Sequence, residues 1–526
     1  MKAKSILALG LTAVMLTSLA ACGGGENEVK DKTGSSQGAG ASGKEINFPL
    51  KEKASYSVFC PMVGGNEMED NISIKTLLDG ANIEFKYQEV MEGDFAEKRN
   101  LVINSGDYPD IFFKSNPDLD KYGKQGVFIP LEDMIKEYAP NFTKKMDELD
   151  GWGDITSGDG HIYSLPEINR KDPGVIPYWI NKQWLKNLNL KEPTSLDELY
   201  DVLKAFKEED ANGNGDPDDE IPFLARDDLK PELLLPYFEV GYDSWTRSAL
   251  IDDKMTYLPT SDIYKEYVEF TAKLYQEGLL DKNSFTQKAE QQNAIGHSGD
   301  VLGSFFDAGA FLTVGRDRDK DYKILTPFEE NSNYPLKSGI TPGALVITDK
   351  CENPETIIAW ADQLYTEEGG ITATLGIEGK TWEKRDDGDW EWIVGGDYGD
   401  TIEDVRQSST FVGGGNHPAI WPDFWYNHMS PDTDPNEVYL NEERARIAEK
   451  GTSLPVMKYS DEDMSTISTL KTDIDSYVDQ YVAQVATGAL DLEKSWKDYT
   501  ITLDDMGAGQ LNDIYQKAYE EGLKNS

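Results

Sequence analysis

Residues 210–222 read DANGNGDPDDEIP, a stretch in which oxygen-bearing side chains alternate with other residues around Gly213 and Gly215. Carboxylate and amide oxygens at the first, third and fifth positions, with glycine at the sixth, are the pattern of an EF-hand calcium loop. The oxygen donors are Asp210, Asn212, Asn214, Asp216, Asp218, Asp219 and Glu220. They suffice for the roughly six to eight oxygen ligands that Ca²⁺ takes, so the sequence predicts a calcium site. The alternative is a solvated acidic turn.

The segment before this loop predicts a helix, and the segment after it predicts extended chain. Thr194 or Ser195 can cap the helix, and apolar residues then recur at helical spacing, at Leu196, Leu199, Tyr200, Leu203 and Phe206. An EF-hand continues into a second helix through a glutamate at its twelfth position, whereas this loop reaches Ile221 and Pro222 there. Because no pair of helices can open, we expect the ion to be structural.

Composition narrows the class of partner. The chain has 526 residues, 38% of them hydrophobic, which suits more than one domain with a buried core. Its formal net charge of -45 argues against nucleic acid and anionic membrane surfaces as partners, because the long-range field repels both. The expected partner is neutral, cationic or small.

The N-terminus predicts a lipid anchor. Two lysines precede an apolar run over residues 6–19, which is typical of a secretory signal. The run ends in LAAC, which resembles the lipobox of bacterial lipoproteins, so residues 1–22 are interpreted as the signal with Cys22 as the lipidated residue. The alternative is a plain signal peptide with a chance cysteine. Residues 23–45 are rich in Gly, Ser and charge and predict a flexible tether. The mature protein is therefore expected on the extracellular face of the membrane, as in Gram-positive lipoproteins, with the anchor as its only membrane contact.

The usual catalytic motifs are missing or misplaced. The four histidines are scattered and form no HExxH pattern, so each is expected at the surface or in the core. GSSQG at 34–38 matches a hydrolase pattern but lies in the tether. The sequence leaves open whether Cys60 and Cys351 pair. We predict a protein that is not an enzyme.

Strands and helices alternate, which predicts an α/β fold. The first strand is expected at 55–63 and a later one at 109–115. In such sheets ligands bind beyond the carboxyl ends of strands, which points to residues 62–66, including Asn66, and to Ser115 and Asn116.

Several stretches resemble one family: GDYPDIFF, DGHIYSLPE, LYQEGLLDKNSF, GITPGALVITDKCENPETIIAWADQLYTEEG, GIEGKTWE, and the C-terminal run from VATGALDLEKSW. From about Tyr56 onwards the chain resembles the family 1 extracellular solute-binding proteins of bacterial ABC importers, in the large lipoprotein branch that includes alginate-oligosaccharide binders. That family carries a similar loop with a structural calcium ion. The present loop has one extra residue, which leaves open whether Asp218 or Asp219 is the ligand.

The resemblance implies two α/β lobes with hinge strands between them, as in periplasmic binding proteins, which close on a ligand. We assign residues 46–170 and 340–450 to lobe 1, and 171–339 and 451–526 to lobe 2, with the calcium loop at 210–220. The implied partners are an oligosaccharide and the transmembrane subunits of an ABC permease, and a monomer is expected.

Sugars present apolar faces and hydroxyl edges, so a sugar cleft needs aromatic platforms beside polar side chains. Besides Asn66 and Asn116, the candidates are Tyr178, Trp179, Trp245, Asp307, Trp421 and Trp425. WPDFWYN at 421–427 is expected to be an irregular loop that presents its rings to the ligand. Core packing is the alternative for any one of these aromatic residues, and it is the expected role of Trp184 and Trp360.

The sequence therefore favours a lipid-anchored protein that captures an oligosaccharide for import. The alternative is a polysaccharide-cleaving enzyme on a similar tether. The scarcity of Lys and Arg favours a neutral glycan over a uronate.

Overall fold

The computed structural model describes residues 46–62, 65–172, 174–328, 334–411, 416–432, 434–449, 451–455 and 457–525. The predicted signal, tether and Cys22 lie outside the described residues. All described residues belong to the unit Gly43–Ser526.

The large sheet has five strands and is built mainly from the first part of the chain. Its spatial order is Ile83–Met91, Ala54–Met62, Ile111–Phe113, Ile340–Ile347, Ser164–Ile168. Ala54–Met62 is parallel to both of its neighbours, and Ile340–Ile347 is antiparallel to both of its own. The parallel strands therefore end at one edge of the sheet, where Met62 is the last residue of Ala54–Met62 and Lys114 follows Ile111–Phe113.

Helices cover both faces of this sheet. Ile72–Ala81 begins at Asn71, whose side chain accepts from the backbone N–H groups of Ser73 and Ile74. Trp360, from Pro354–Asp362, is buried with its ring centroid 5.3 Å from that of Phe85, as expected for a core residue. The other helices of this part are Glu92–Ser105, Leu119–Lys124, Glu132–Tyr138, Pro140–Leu149, Trp152–Ile155 and Glu367–Thr374.

The small sheet has three antiparallel strands in the order Tyr322–Leu325, Tyr178–Asn181, Ser304–Phe306. Trp184 is fully buried against it, which confirms the core prediction for this residue. Leu196–Glu208 begins at Ser195, whose Oγ accepts from the N–H of Glu198 at 3.2 Å. Beyond the acidic loop, Ile221 forms a parallel bridge with Leu302, so the predicted helix–loop–extended order is confirmed.

A helical region completes the side of the small sheet. Its long helices are Asp262–Gln276, Asp461–Ala486, Leu492–Met506 and Ala508–Asn525. They pack on a three-stranded antiparallel sheet of Tyr242–Asp243, Ser248–Ile251 and Lys254–Tyr257. Buried Arg247 joins this sheet to the helices through ion pairs with Asp475 at 3.3 Å and with Asp479. Shorter helices on this side are Lys182–Asn187, Ala289–Ser298 and Ala310–Val314.

Residues 382–449 form a tryptophan-rich region beside the large sheet. It contains the strand pair Trp382–Lys384 and Trp390–Trp392 and the helices Ile402–Ser409, Asp423–Asn427 and Pro435–Glu449. The expected irregular loop at 421–427 is thus wrong over Asp423–Asn427, because Pro422 starts a short helix rather than preventing one.

The chain passes from Ser164–Ile168 in the large sheet to Tyr178–Asn181 in the small sheet, and later from Tyr322–Leu325 in the small sheet back to Ile340–Ile347 in the large one. We call these two connections the crossings. Tyr334–Leu336, in the second crossing, pairs in parallel with Gly451–Ser453. Leu440 and Ile447 of Pro435–Glu449 pack in the core of the small sheet, whereas the predicted boundary put residues up to 450 in lobe 1. The lobe boundaries otherwise stay a prediction.

Candidate ligand site between the two sheets

The first wall of the candidate site follows the strand Ile111–Phe113. Lys114 and Asn116 have left-handed backbone conformations, with φ of 53° and 43°. The N–H of Asn116 donates to the Gly343 carbonyl at 3.1 Å, and the Arg99 guanidinium donates to the Asn116 carbonyl at 2.9 Å. Burial lowers the pKa of Lys114 to about 8, and its Nζ donates to the Phe411 carbonyl at 2.7 Å. A cationic side chain is thereby held at the carboxyl edge of the large sheet.

Glu167, His417 and Trp421 form the next part of the wall. The indole Nε1–H of Trp421 donates to Glu167 Oε1 at 2.6 Å, and His417 Nδ1 lies 3.5 Å from the same oxygen. Burial raises the pKa of Glu167. Burial and the neighbouring Lys114 lower the pKa of His417 to about 3, so its imidazole is neutral at physiological pH. Neither ring nitrogen of His417 has a hydrogen-bond partner within the protein.

A second wall of the candidate site follows the small-sheet strand Ser304–Phe306. Asp307 is buried, and its Oδ2 accepts from Thr313 Oγ1 at 2.7 Å and from Arg226 Nη1 at 3.2 Å. Burial raises the pKa of this carboxyl, and Arg226 opposes the rise. Trp179 is buried and donates its indole N–H to the Asp307 carbonyl at 2.9 Å. Hydrogen bonds therefore hold both the carboxylate and the backbone carbonyl of Asp307 at the end of this strand.

Two arginines and an aromatic ring connect the walls. The Arg316 guanidinium stacks 3.7 Å above the ring centroid of Phe311, and Arg406 lies 5.8 Å from that centroid and 5.9 Å from the Trp425 ring. Asp434 accepts from Arg316 Nη1 at 2.9 Å. A row of rings continues from Arg406. The ring centroids of Trp425 and Trp421 lie 5.0 Å apart, and that of His417 lies 5.6 Å from that of Trp421.

Several buried polar atoms along this path have no hydrogen bond inside the protein. Among the described residues they include Ser115 Oγ, Asn416 Oδ1, both His417 ring nitrogens, Arg316 Nε, Arg406 Nε and Arg444 Nε. Arg316 Nη2, Asp319 Oδ2 and Glu403 Oε2 also lack hydrogen bonds, although each lies within 4 Å of an oppositely charged group. A buried polar group left unpaired costs about 1–3 kcal/mol, and such groups are rare unless a ligand, ion or water satisfies them. Donors and acceptors are mixed, which suits a molecule with many hydroxyl groups. No nucleophile paired with a general base is apparent in this set.

The structure separates the predicted ligand residues into groups. Asn116, Asp307 and Trp421 lie along the walls just described, and Asn66 is half-buried after the strand Ala54–Met62. Trp425 is 1% exposed and packs among Trp382, Trp390 and Trp392, so it offers no open ring face. Trp179 and Tyr178 are buried in the cores of the small sheet.

Trp245 and Tyr178 line a different space, a cavity of about 790 Å³ that we call the hinge cavity. It is bounded by the two crossings and by Leu149, Asp154, Leu454 and Tyr459. Residues 114–116, beyond Ile111–Phe113, do not line it, whereas Arg170, beyond Ser164–Ile168 at the same edge of the sheet, does. Ligands in such sheets bind beyond the strands' carboxyl ends, so this rule is compatible with both places. We take the walls around His417 as the candidate site because of the unsatisfied buried polar atoms there.

Sequence reasoning missed Lys114, Glu167, His417, Phe311 and Arg406. Lys114 could have been predicted from the sequence, because it directly precedes Ser115, which was predicted. His417 was treated as a lone histidine, and nothing local marks its contact with Glu167, which is 250 residues away.

The acidic loop is held together by hydrogen bonds between its own residues. The Gly215 N–H donates to Asp210 Oδ2 at 2.9 Å, and the amides of Asn212 and Asn214 donate to the two carboxylate oxygens of Asp219 at 2.9 and 2.7 Å. Glu220 is 2% exposed, and its burial raises its pKa. One oxygen each of Asp210 and Glu220 is buried without a partner, which an ion would satisfy. The donor set fits Ca²⁺, although the described residues contain no group of three or more His, Cys, Asp or Glu positioned to hold a metal.

Cys60 and Cys351 are both free thiols, which answers the pairing question. Within the described part of the chain, we find no helix with the length and apolar character needed to span a membrane.

The family model for bacterial extracellular solute-binding proteins matches residues 79–371, and the chain belongs to this family. It is 29% identical, over 98% of both chains, to FusA, a fructooligosaccharide ABC transporter substrate-binding protein of Streptococcus pneumoniae. It is 28% identical to the polygalacturonan/rhamnogalacturonan-binding protein YtcQ of Bacillus subtilis, over 60% of this chain and 64% of YtcQ.

The structure of FusA from S. pneumoniae in complex with kestose superposes with a TM-score of 0.75 at 26% identity, covering 90% of this chain and all of FusA. Another FusA structure is of an EF-hand mutant. The alginate-binding protein AlgQ2 shares the fold, with a TM-score of 0.71 at 21% identity over 91% of this chain and all of AlgQ2. The α/β two-lobed solute-binding fold predicted from the sequence is confirmed.

Proposed function

We propose that this chain captures an oligosaccharide between the two sheets and delivers it to an ABC importer. The observation that carries the proposal is the row of buried atoms without a hydrogen bond inside the protein, from Ser115 Oγ through the His417 ring nitrogens to Arg406 Nε. Hydroxyl groups of a sugar can donate and accept at once, so one glycan can satisfy both kinds of group. FusA and YtcQ, whose names state carbohydrate ligands, support the same class of ligand.

Charge at the site favours a neutral glycan. Arg226 pairs with Asp307, Arg316 with Asp434, and Arg406 lies within 4 Å of both Glu403 and Glu437. These arginines are thus already matched by carboxylates, and a uronate would add negative charge among acids. Buried ionic groups that are matched within the protein leave hydrogen bonding, rather than charge, as the basis of recognition.

Isothermal titration with a neutral trisaccharide such as kestose and with trigalacturonate tests both statements. We expect binding of the neutral sugar, and a loss of about tenfold or more in Arg406→Gln, which removes a buried donor. Arg385→Gln is the matched control, because Arg385 pairs with Glu391 at 2.8 Å outside the site. Tighter binding of trigalacturonate would contradict the preference for a neutral glycan, but it would leave the proposal that the chain binds an oligosaccharide intact.

If neither sugar bound at millimolar concentration and a wider set of glycans also failed, the proposed function would be wrong. New reducing ends during incubation would instead support the cleaving-enzyme alternative, which no relative supports.

We further propose that the loop at 210–220 binds a structural Ca²⁺ and that Cys22 carries the lipid anchor. The buried, unpaired oxygens of Asp210 and Glu220 support the first statement. The FusA EF-hand variant indicates that a related protein has such a site. The LAAC motif at 19–22 supports the second. The monomeric state, the permease contact and the roles of individual ligand residues are likewise proposals.

A further inference from the structure

Residues 114–116, which we call the strand-end loop, hold an uncommon backbone conformation. Lys114 and Asn116 have φ of 53° and 43°, in the left-handed region that residues with a Cβ atom rarely adopt. Asn116 also precedes Pro117, and a residue before proline favours a φ of about −120°. Two of the three loop residues therefore keep conformations that their surroundings must impose.

The neighbouring strand supports one side of the strand-end loop. The N–H of Lys114 donates to the Ala344 carbonyl at 2.7 Å, and the N–H of Asn116 donates to the Gly343 carbonyl at 3.1 Å. A Cβ atom at Gly343 would lie 3.0 Å from Asn116 Cα, so glycine is what permits this close approach. The strand takes up these two N–H groups but leaves the carbonyls of Ser115 and Asn116 to another partner.

That partner is Arg99, on the helix Glu92–Ser105. Its Nη1 donates to the carbonyls of both Ser115 and Asn116, the second at 2.9 Å. Its Nε and Nη2 donate to Asn100 Oδ1 at 3.2 and 3.1 Å. The guanidinium is half-buried, and burial lowers its pKa. Charge-assisted hydrogen bonds are roughly twice as strong as neutral ones, so Arg99 firmly joins two successive carbonyls of the loop to the helix.

The strand-end loop carries polar side chains suited to a glycan. Ser115 Oγ is buried and has no hydrogen bond to any described residue, whereas Asn116 is exposed. A hydroxyl and a carboxamide can each donate and accept, as sugar hydroxyls do. A change of φ from positive to negative would turn these side chains away from their present directions. The left-handed conformation therefore decides where the two groups point.

We infer that Arg99 is a positioning residue for ligand recognition: it holds the strand-end loop in its left-handed conformation and so fixes the Ser115 hydroxyl and the Asn116 carboxamide before a glycan arrives. Without Arg99 the loop relaxes, and apparent affinity falls in proportion to the fraction of molecules that keep the binding conformation. The contact of Ser115 and Asn116 with glycan rests on the proposed function, whereas the effect of Arg99 on the loop does not.

Hydrogen exchange, followed by mass spectrometry, tests the effect of Arg99 on the loop without any glycan. In Arg99→Gln, the peptide that contains residues 114–116 should exchange about tenfold faster, because the Asn116 N–H is released from Gly343 more often. Lys98→Gln is the matched control, because it removes the same charge from an exposed neighbour on the same helix. Unchanged exchange of the loop in Arg99→Gln would overturn the inference.

Titration calorimetry with kestose tests the effect on recognition. Arg99→Gln should weaken binding about tenfold, Arg99→Lys should lose less because it retains a charged donor, and Lys98→Gln should bind normally. In protein that already carries Ser115→Ala and Asn116→Gly, Arg99→Gln should cost less than about twofold, since the groups that it positions are absent. An equal loss in both backgrounds would mean that Arg99 does not act through the loop, and would also overturn the inference.

Thermal melts establish that each variant is folded, and Arg99→Lys carries both measurements if Arg99→Gln does not fold. If the unmodified protein bound no kestose, hydrogen exchange alone would decide. Faster exchange confined to the strand-end loop would then support the role of Arg99 even though the ligand assignment had failed, and unchanged exchange would refute it.

Discussion

Trp421 and Glu167 are joined by a hydrogen bond of 2.6 Å although 254 positions separate them in the sequence. This bond fixes the segment before the helix Asp423–Asn427 against the end of the strand Ser164–Ile168. It also orients a half-buried indole beside neutral His417 at the edge of the large sheet. Its neighbour Trp425 is buried and faces other tryptophans.

We therefore predict different phenotypes for the two tryptophans. Trp421→Ala should weaken glycan binding by roughly tenfold to a hundredfold, because it removes a ring and frees the Glu167 carboxylate. Trp425→Ala should lower the free energy of unfolding by about 3–5 kcal/mol, because it opens a cavity in a core. Titration calorimetry and chemical unfolding measure the two effects. A stable Trp425→Ala with greatly weakened binding would assign the ligand contact to Trp425 instead.

His417 gives stability a pH dependence of known sign. Its pKa is about 3 in the folded protein, against 6.5 for an unperturbed histidine. The unfolded chain thus takes up the proton first, so the stabilisation is complete above pH 6.5 and is lost as pH falls towards 3. Relative to His417→Gln, the native protein should lose stability between pH 7 and pH 5 in urea unfolding experiments. Parallel curves for the two proteins would contradict the buried neutral histidine.

The ionisation of Asp319 changes stability with pH in the direction opposite to that of His417. Burial raises its pKa from 3.8 to about 6, so the folded protein is protonated there before the unfolded chain is. Its contribution is fully present below pH 3.8 and is lost as pH rises through 6. Asp319→Asn should therefore be increasingly more stable than the native protein as pH rises from 5 to 7, provided that Asn436 keeps its hydrogen bond to position 319. A constant difference across this range would exclude the assignment.

The helices, strands and core residues that depend on local sequence pattern could be predicted from the sequence. The candidate ligand site could be predicted only in part. The helix Leu196–Glu208, the cores around Trp184 and Trp360, and the extended exit at Ile221 follow from capping and periodicity. Asn116 and Asp307 were predicted because strand ends mark ligand edges, and the structure places both just beyond strands; their contact with ligand stays a prediction. His417 and Arg406 were missed because their environment comes from distant segments, and Trp425 was misplaced because spacing alone does not tell a core ring from an open one.

Cys22 provides a test of localisation. If it carries the lipid, Cys22→Ala should move the protein from the membrane fraction to the culture medium, because the anchor is the only membrane contact expected. Glycan affinity should remain unchanged. Immunoblots of fractionated cells measure the distribution, and a variant that remains in the membrane fraction would count against lipidation.

The acidic loop makes the last prediction, which concerns calcium. An ion that binds only the folded state stabilises it by mass action, by about 2.7 kcal/mol at a hundredfold excess over its dissociation constant. Chelation should therefore lower the melting temperature of the native protein. It should not affect Asp210→Ala combined with Glu220→Gln, which lacks both carboxylates that have a buried unpaired oxygen.

That double variant is the control for nonspecific effects of the chelator, and it should melt near the chelated native protein. Glycan affinity should change little, because the loop lies next to Leu302 and Asp300, at the end of the small sheet away from Asp307. A large loss of affinity on chelation without a change in melting temperature would place the ion at the ligand and not in the loop.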